Sequence, residues 1–114
     1  MNESYPNRRR FPRLSMKNPL LVKKVGEASD ESLGKTRTVS LGGCMFHSDE
    51  ALGVNSLLEL LISLKGHVIQ AKAKVVYENP AQEGGVDVGA EFLEVPEGDQ
   101  DLLASILGVP TEEA

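Results

Sequence analysis

A chain of 114 residues with 40% hydrophobic and 25% charged side chains has the size and balance of one folded domain and little material for a second core. Its longest apolar run, Leu57 to Leu64, carries Glu59 and falls short of the roughly 20 residues of a membrane helix. One cysteine and two histidines exclude an internal disulfide and make a protein-only metal cage hard to assemble. Charge is unevenly divided: the first 24 residues carry seven Lys/Arg against one acid, while the remaining 90 carry five basic and sixteen acidic side chains. A basic arm therefore precedes an acidic body that repels polyanions. With no apolar signal-like core after Met1, a cytoplasmic location without membrane insertion is expected, and no metal is assigned.

Residues 1–13 contain Pro6 and Pro12, which resist helix and favour extended backbone before them, so a flexible arm is expected. From Leu14 to Val25, apolar residues at Leu14, Met16, Leu20 and Val22 have the period of two of a strand, with Pro19 demanding an edge or a bulge. Gly26 to Lys35 reads as a polar loop. Thr36 to Leu41 is rich in β-branched residues and ends at Gly42-Gly43, where a turn or bulge belongs. Cys44-Met45-Phe46 reads as a short strand, and Ser48 to Gly53 as a connection.

Leu57 to Lys65 suits a buried strand or a short buried helix and is read as a strand, followed by a Lys65-Gly66 turn. The cleanest alternation comes next, with Ile69, Ala71, Ala73, Val75 and Tyr77 on one face and Gln70, Lys72 and Lys74 on the other. Asn79 to Gly85 reads as a loop, and Val86, Val88, Ala90 and Phe92 mark a sixth strand. Six short strands favour an antiparallel barrel or sandwich. A terminal helix follows, with Asp99 as N-cap, an apolar stripe of Leu102, Leu103, Ile106 and Leu107, and Gly108 with Pro110 as stop. The expected division is an arm over 1–13, a barrel plus terminal helix over 14–108, and a tail over 109–114.

Two constellations carry possible chemistry. The first is Arg8-Arg9-Arg10-Phe11-Pro12-Arg13. Because Pro12 rules out an interior helix, Arg9 and Arg13 fall on the same side of an extended chain about 13 Å apart, a spacing that embraces a ligand. Arginine suits an anionic nucleotide: its planar fork pairs bidentately with phosphate, meets guanine O6 and N7, and stacks on bases. A bare basic tail would show the same charge run. The second is Thr38-Val39-Ser40-Leu41-Gly42-Gly43, where hydroxyls two apart share a strand face and Gly42 and Gly43 permit close backbone approach.

In order and combination these segments resemble the two motifs of the PilZ domain family, bacterial receptors for cyclic di-GMP: an RxxxR segment, often preceded by another arginine, and [D/N]xSxxG. Arg8, Arg9 and Arg13 match the first; Ser40 and Gly43 match the second, with Thr38 where the family has Asp or Asn. The alternating strand to Tyr77 and Val88-Gly89-Ala90-Glu91-Phe92 extend the resemblance from about Arg8 to Leu107. It implies a mainly β fold, a six-stranded antiparallel barrel with a C-terminal helix, in agreement with the strand count. It also implies cyclic di-GMP as ligand, held by Arg8, Arg9, Arg13, Thr38, Ser40, Gly42 and Gly43, with Thr38 weakening the grip by offering one uncharged hydroxyl.

Catalysis finds little support, since Cys44 and His47, three apart in a strand, face opposite sides. The expectation is a non-enzymatic second-messenger receptor in signal transduction. It would pass its signal to an unidentified protein partner, with a homodimer as a further possibility. A PilZ-like adaptor that binds no nucleotide is the alternative. A nucleic-acid binder is disfavoured by the acidic body and by few aromatics for stacking.

Overall fold

The computed structural model describes residues 14–15, 17–26 and 31–108. In chain order these form β1 (Leu14–Ser15), β2 (Pro19–Lys24), β3 (Glu31–Val39), β4 (Gly43–Ser48), β5 (Leu57–Leu64), β6 (His67–Pro80), β7 (Val86–Glu94) and α1 (Glu97–Leu107). Every strand pair is antiparallel, in the order β1-β3-β2-β5-β6-β7-β4, and an additional β3–β4 pairing joins the ends. Six strands thus close into the expected barrel, while the two-residue β1 lies end to end with β2 along β3.

The period-two pattern of the sequence becomes the inside and outside of this barrel. Leu58, Leu60, Ile62 and Leu64 of β5 are fully buried, as are Ile69, Ala73 and Val75 of β6, with Ala71 nearly so. Leu60 stands opposite Ala71 and Leu58 opposite Ala73, so large side chains meet small ones across the pair and the interior fills without crowding. Leu20, Val22, Val39, Cys44, Phe46, Val88 and Ala90 add to the core, and Leu103 and Leu107 of α1 join it. Gly108, at φ 73°, ends the helix in the left-handed conformation that glycine adopts without a Cβ penalty.

Five readings of the sequence change. The segment expected as one strand from Leu14 to Val25 is divided into β1 and β2, and Pro19 opens β2, where its missing N–H is tolerated. The expected loop to Lys35 is strand from Glu31 onward: its apolar content is low, but five residue pairs with β2 hold it, and tertiary pairing outweighs weak propensity. β6 continues through Asn79 to Pro80 because β7 pairs with it as far as Val86. Asp99 is not the N-cap, a place held by Pro96 without a side-chain bond; its Oδ2 accepts the Gln70 N–H at 2.9 Å and ties α1 to β6.

Tyr77 is the fifth. The β6–β7 register shifts between Val75 and Tyr77, and a Cβ on Gly89 would stand 2.1 Å from the Tyr77 ring. Gly89 lies between inward-facing Val88 and Ala90, so that Cβ direction is outward and the ring lies on the outer wall.

Candidate ligand-binding surface

The second motif sits where β3 turns into β4. β3 carries a bulge between Thr36 and Thr38, so its burial does not simply alternate: Thr36 and Val39 are fully buried, while Arg37 and Thr38 between them are half-exposed. An extra residue in one strand of a pair puts two consecutive side chains on one wall. Thr38 pairs with Ser15 of β1 on one side and Met45 of β4 on the other, and Val39 pairs with Leu14. The segment that follows Arg13 is thereby clamped against Thr38 and Val39.

Ser40 shapes the turn itself. Its N–H donates to the Gly43 carbonyl at 2.8 Å, its hydroxyl donates to the same oxygen at 3.3 Å, and it accepts the Gly42 N–H at 3.2 Å. A serine side chain that mimics a backbone turn in this way fixes the loop. The Gly42 carbonyl accepts the Phe92 N–H at 2.9 Å. Gly43 lies so close to β7 that a Cβ would stand 2.2 Å from the Ala90 oxygen, which leaves room for hydrogen only. Thr38 thus lies on the outer wall beside a turn whose serine is nearly buried and committed to the backbone. Arg8, Arg9 and Arg13 lie outside the described residues.

Sequence reasoning missed the neighbours that the bulges bring out. Thr38, Met45, Gly89 and Tyr77 stand opposite one another in turn across β3, β4, β7 and β6, making an outer row that begins at the motif and ends under an aromatic ring. Glycine inside a strand marks a close approach, so Gly89 was the available signal. Nothing in the local pattern signals the bulge that turns out Arg37. Its Nε donates to Asp87 Oδ1 at 3.0 Å, and its guanidinium also grips Glu83. The bond to Glu83 and the nearby carboxylates raise the arginine pKa. Glu83 is held below its ordinary value by its own backbone N–H and by Arg37.

His47 fills the space between these acids. Its Nδ1 is 3.6 Å from Asp87 and 3.7 Å from Glu83, and its Nε2 is 3.7 Å from Asp49. Among the described residues no cluster suited to a metal ion occurs. Cys44 faces the core, away from His47, and burial pushes its thiol up to about 12; at neutral pH it is a protonated, inert side chain. No helix among the described residues is long and apolar enough to cross a membrane.

Comparison with known proteins agrees with the architecture. No curated protein sequence matches the chain significantly. Among solved structures, the inhibitor of motility MotI/DgrA of Bacillus subtilis superposes with a TM-score of 0.73 at 19% identity, over 88% of this chain and 50% of that one. YcgR from Escherichia coli, in complex with c-di-GMP, gives 0.73 at 18% identity over 89% of this chain and 45% of that one. The chain spans about half the length of these two. The PilZ domain of CeSA from a cellulose-synthesizing bacterium gives 0.63 at 16% identity, over 85% of this chain and 96% of that one. The profile of the PilZ domain matches residues 7–108, a span that takes in both arginine-rich and glycine-ended motifs together with the whole barrel, and the chain belongs to the PilZ domain family.

Proposed function

We propose that this chain is a non-enzymatic receptor for cyclic di-GMP, in which Arg8, Arg9 and Arg13 grip the phosphates and guanines while Thr38, Ser40, Gly42 and Gly43 present the opposing surface. The observation that carries the reading is the register of Leu14 with Val39 and Ser15 with Thr38. Leu14, the residue after Arg13, is thus a paired neighbour of the second motif, about 25 positions later in sequence. That YcgR has been captured with c-di-GMP on a similar fold supports the choice of ligand. Residues 1–13 act as the arm and residues 14–108 as the barrel and helix; binding neutralises and orders the arm against the barrel and alters a surface offered to a protein partner in the cytoplasm.

A nucleotide-blind adaptor is the second reading, and Thr38 favours it. Where the family motif has a carboxylate or amide, one hydroxyl remains, and the Ser40 hydroxyl is already used by the turn. Calorimetric titration separates the readings, with cyclic di-GMP, GTP and a DNA oligonucleotide as ligands of the wild type and of the double variant Arg9→Ala, Arg13→Ala. Heat with cyclic di-GMP alone, abolished in the double variant, is the expected result. No heat at high micromolar cyclic di-GMP transfers the proposal to the adaptor, and salt-sensitive oligonucleotide binding overturns both.

A further inference from the structure

The outer wall of β2 and β5 carries a pattern that neither the core nor the candidate ligand surface uses. Leu20 and Val22 of β2 and Leu58, Leu60 and Ile62 of β5 are buried, so Leu21 and Lys23 on one strand, and Leu57, Glu59 and Leu61 on the other, turn outward by alternation. Leu21 pairs with Leu61 and Lys23 with Glu59. Val25, just past the end of β2, donates its N–H to the Leu57 carbonyl at 2.9 Å and continues the same register. Successive rows across the two strands are therefore apolar beside apolar, cation beside anion, and apolar beside apolar.

Val25 and Leu57 are each 47% exposed and Leu61 is 40% exposed, while half-buried Leu21 lies between Leu61 and the exposed Leu33 of β3. Apolar side chains gathered on one wall mark a contact surface. The charges through the middle decide what covers it. A partner must offer an anion to Lys23 and a cation to Glu59, with apolar side chains on both sides of that pair. A second copy of the chain offers all of this when it faces the first about an axis that runs along the strands between β2 and β5. Each β2 then lies over the other copy's β5, so that Leu21 meets Leu61, Lys23 meets Glu59 and Val25 meets Leu57, each twice by symmetry. An axis across the strands would instead set Lys23 on Lys23 and Glu59 on Glu59, so the charges select the first arrangement.

We propose that this wall is a homodimer interface, in which the β2–β5 faces of two copies pack together about a two-fold axis along the strands. An isologous contact requires a self-complementary patch, and near-aligned packing is an ordinary way for two sheet faces to meet. The two lysine–glutamate pairs come together as a square of alternating sign, in which each charge gains a second opposite neighbour. The barrel wall curves away beyond these strands, which keeps the contact below about 1,200 Å² in total and the dimer weak and reversible. Neither Thr38 nor the β3–β4 turn takes part, and the contact does not depend on the ligand reading.

Sedimentation equilibrium of the full chain across the micromolar to millimolar range tests the proposal, with circular dichroism to establish that each variant folds. The wild type should dimerise reversibly. Lys23→Glu and Glu59→Lys should each weaken self-association about tenfold, since each sets like charges against one another at two symmetric places. An equimolar mixture of the two variants should regain at least the wild-type association. Across the interface each reversed charge then meets the other variant's reversed charge, while the like charges within each chain remain. A monomer at all concentrations overturns the proposal. So does a dimer that both reversals leave unchanged, or a mixture that associates no better than its components.

Discussion

The β5–β6 and β3–β4 pairs are both antiparallel, and both are joined by tight turns, yet they are held by different means. β5 and β6 pair over eight consecutive positions from Leu57 to Leu64 without a break, around a two-residue turn at Lys65 and Gly66, and their inner faces are aliphatic. β3 and β4 share three registered pairs interrupted by a bulge, and their turn depends on one serine hydroxyl and on a glycine with no room for a Cβ. Regular pairing with burial secures the barrel; irregular pairing puts polar side chains on its wall. The candidate site lies on the second pair, where sheet regularity is given up.

Truncations should separate the two. Leu60→Ala removes a fully buried side chain facing Ala71 and should cost about 2–5 kcal/mol, read from urea unfolding, while leaving the affinity of the folded protein for cyclic di-GMP unchanged. Gly43→Ala puts a methyl against the Ala90 oxygen and should cost less, about 1–3 kcal/mol, but reduce affinity at least tenfold by moving the turn. Equal effects on affinity would dissolve the distinction between a supporting pair and a binding pair.

Legibility in sequence follows the same division. The inner face of β5 and β6 could be read because burial of alternate residues is a local constraint, repeated every second position. The glycine turn could be read because Gly42 and Gly43 are conformational signals in themselves. Residues 31–35 could not, since what makes Glu31 to Lys35 a strand is backbone pairing with β2, a property of the partner. The outward placing of Arg37 and Tyr77 was hidden for a related reason: each follows from a bulge, which shifts the parity of a pattern without altering its composition. The N-cap at Asp99 was a sound local signal diverted to a distant use, the N–H of Gln70.

Position 38 sharpens the comparison from the side of function. Thr38→Asp replaces a hydroxyl with a carboxylate on the exposed wall, where charge-assisted acceptance from guanine nitrogens is stronger than a neutral bond. Affinity for cyclic di-GMP should rise by about 1 kcal/mol, roughly five- to tenfold, with little change in the urea midpoint. Unchanged affinity in a calorimetric titration would show that the side chain at 38 does not touch the ligand, and would move the binding surface away from the β3–β4 turn.

The smallest effect tests the regular pair. Lys65 and Gly66 both have positive φ, 49° and 84°, the arrangement of a type I′ turn, for which asparagine followed by glycine is the favoured pair. Lysine at such a φ carries a steric penalty that asparagine largely avoids by bonding locally. Lys65→Asn should therefore raise stability by about 0.5 kcal/mol, seen as a higher urea midpoint at unchanged slope. No comparable gain is open at the other turn, because Ser40 and Gly43 each meet a requirement that other side chains fail. A stabilising single substitution at either of those two would mean that the β3–β4 turn is held by propensity like its counterpart, and that its hydrogen bonds and its contact with Ala90 are incidental to the fold.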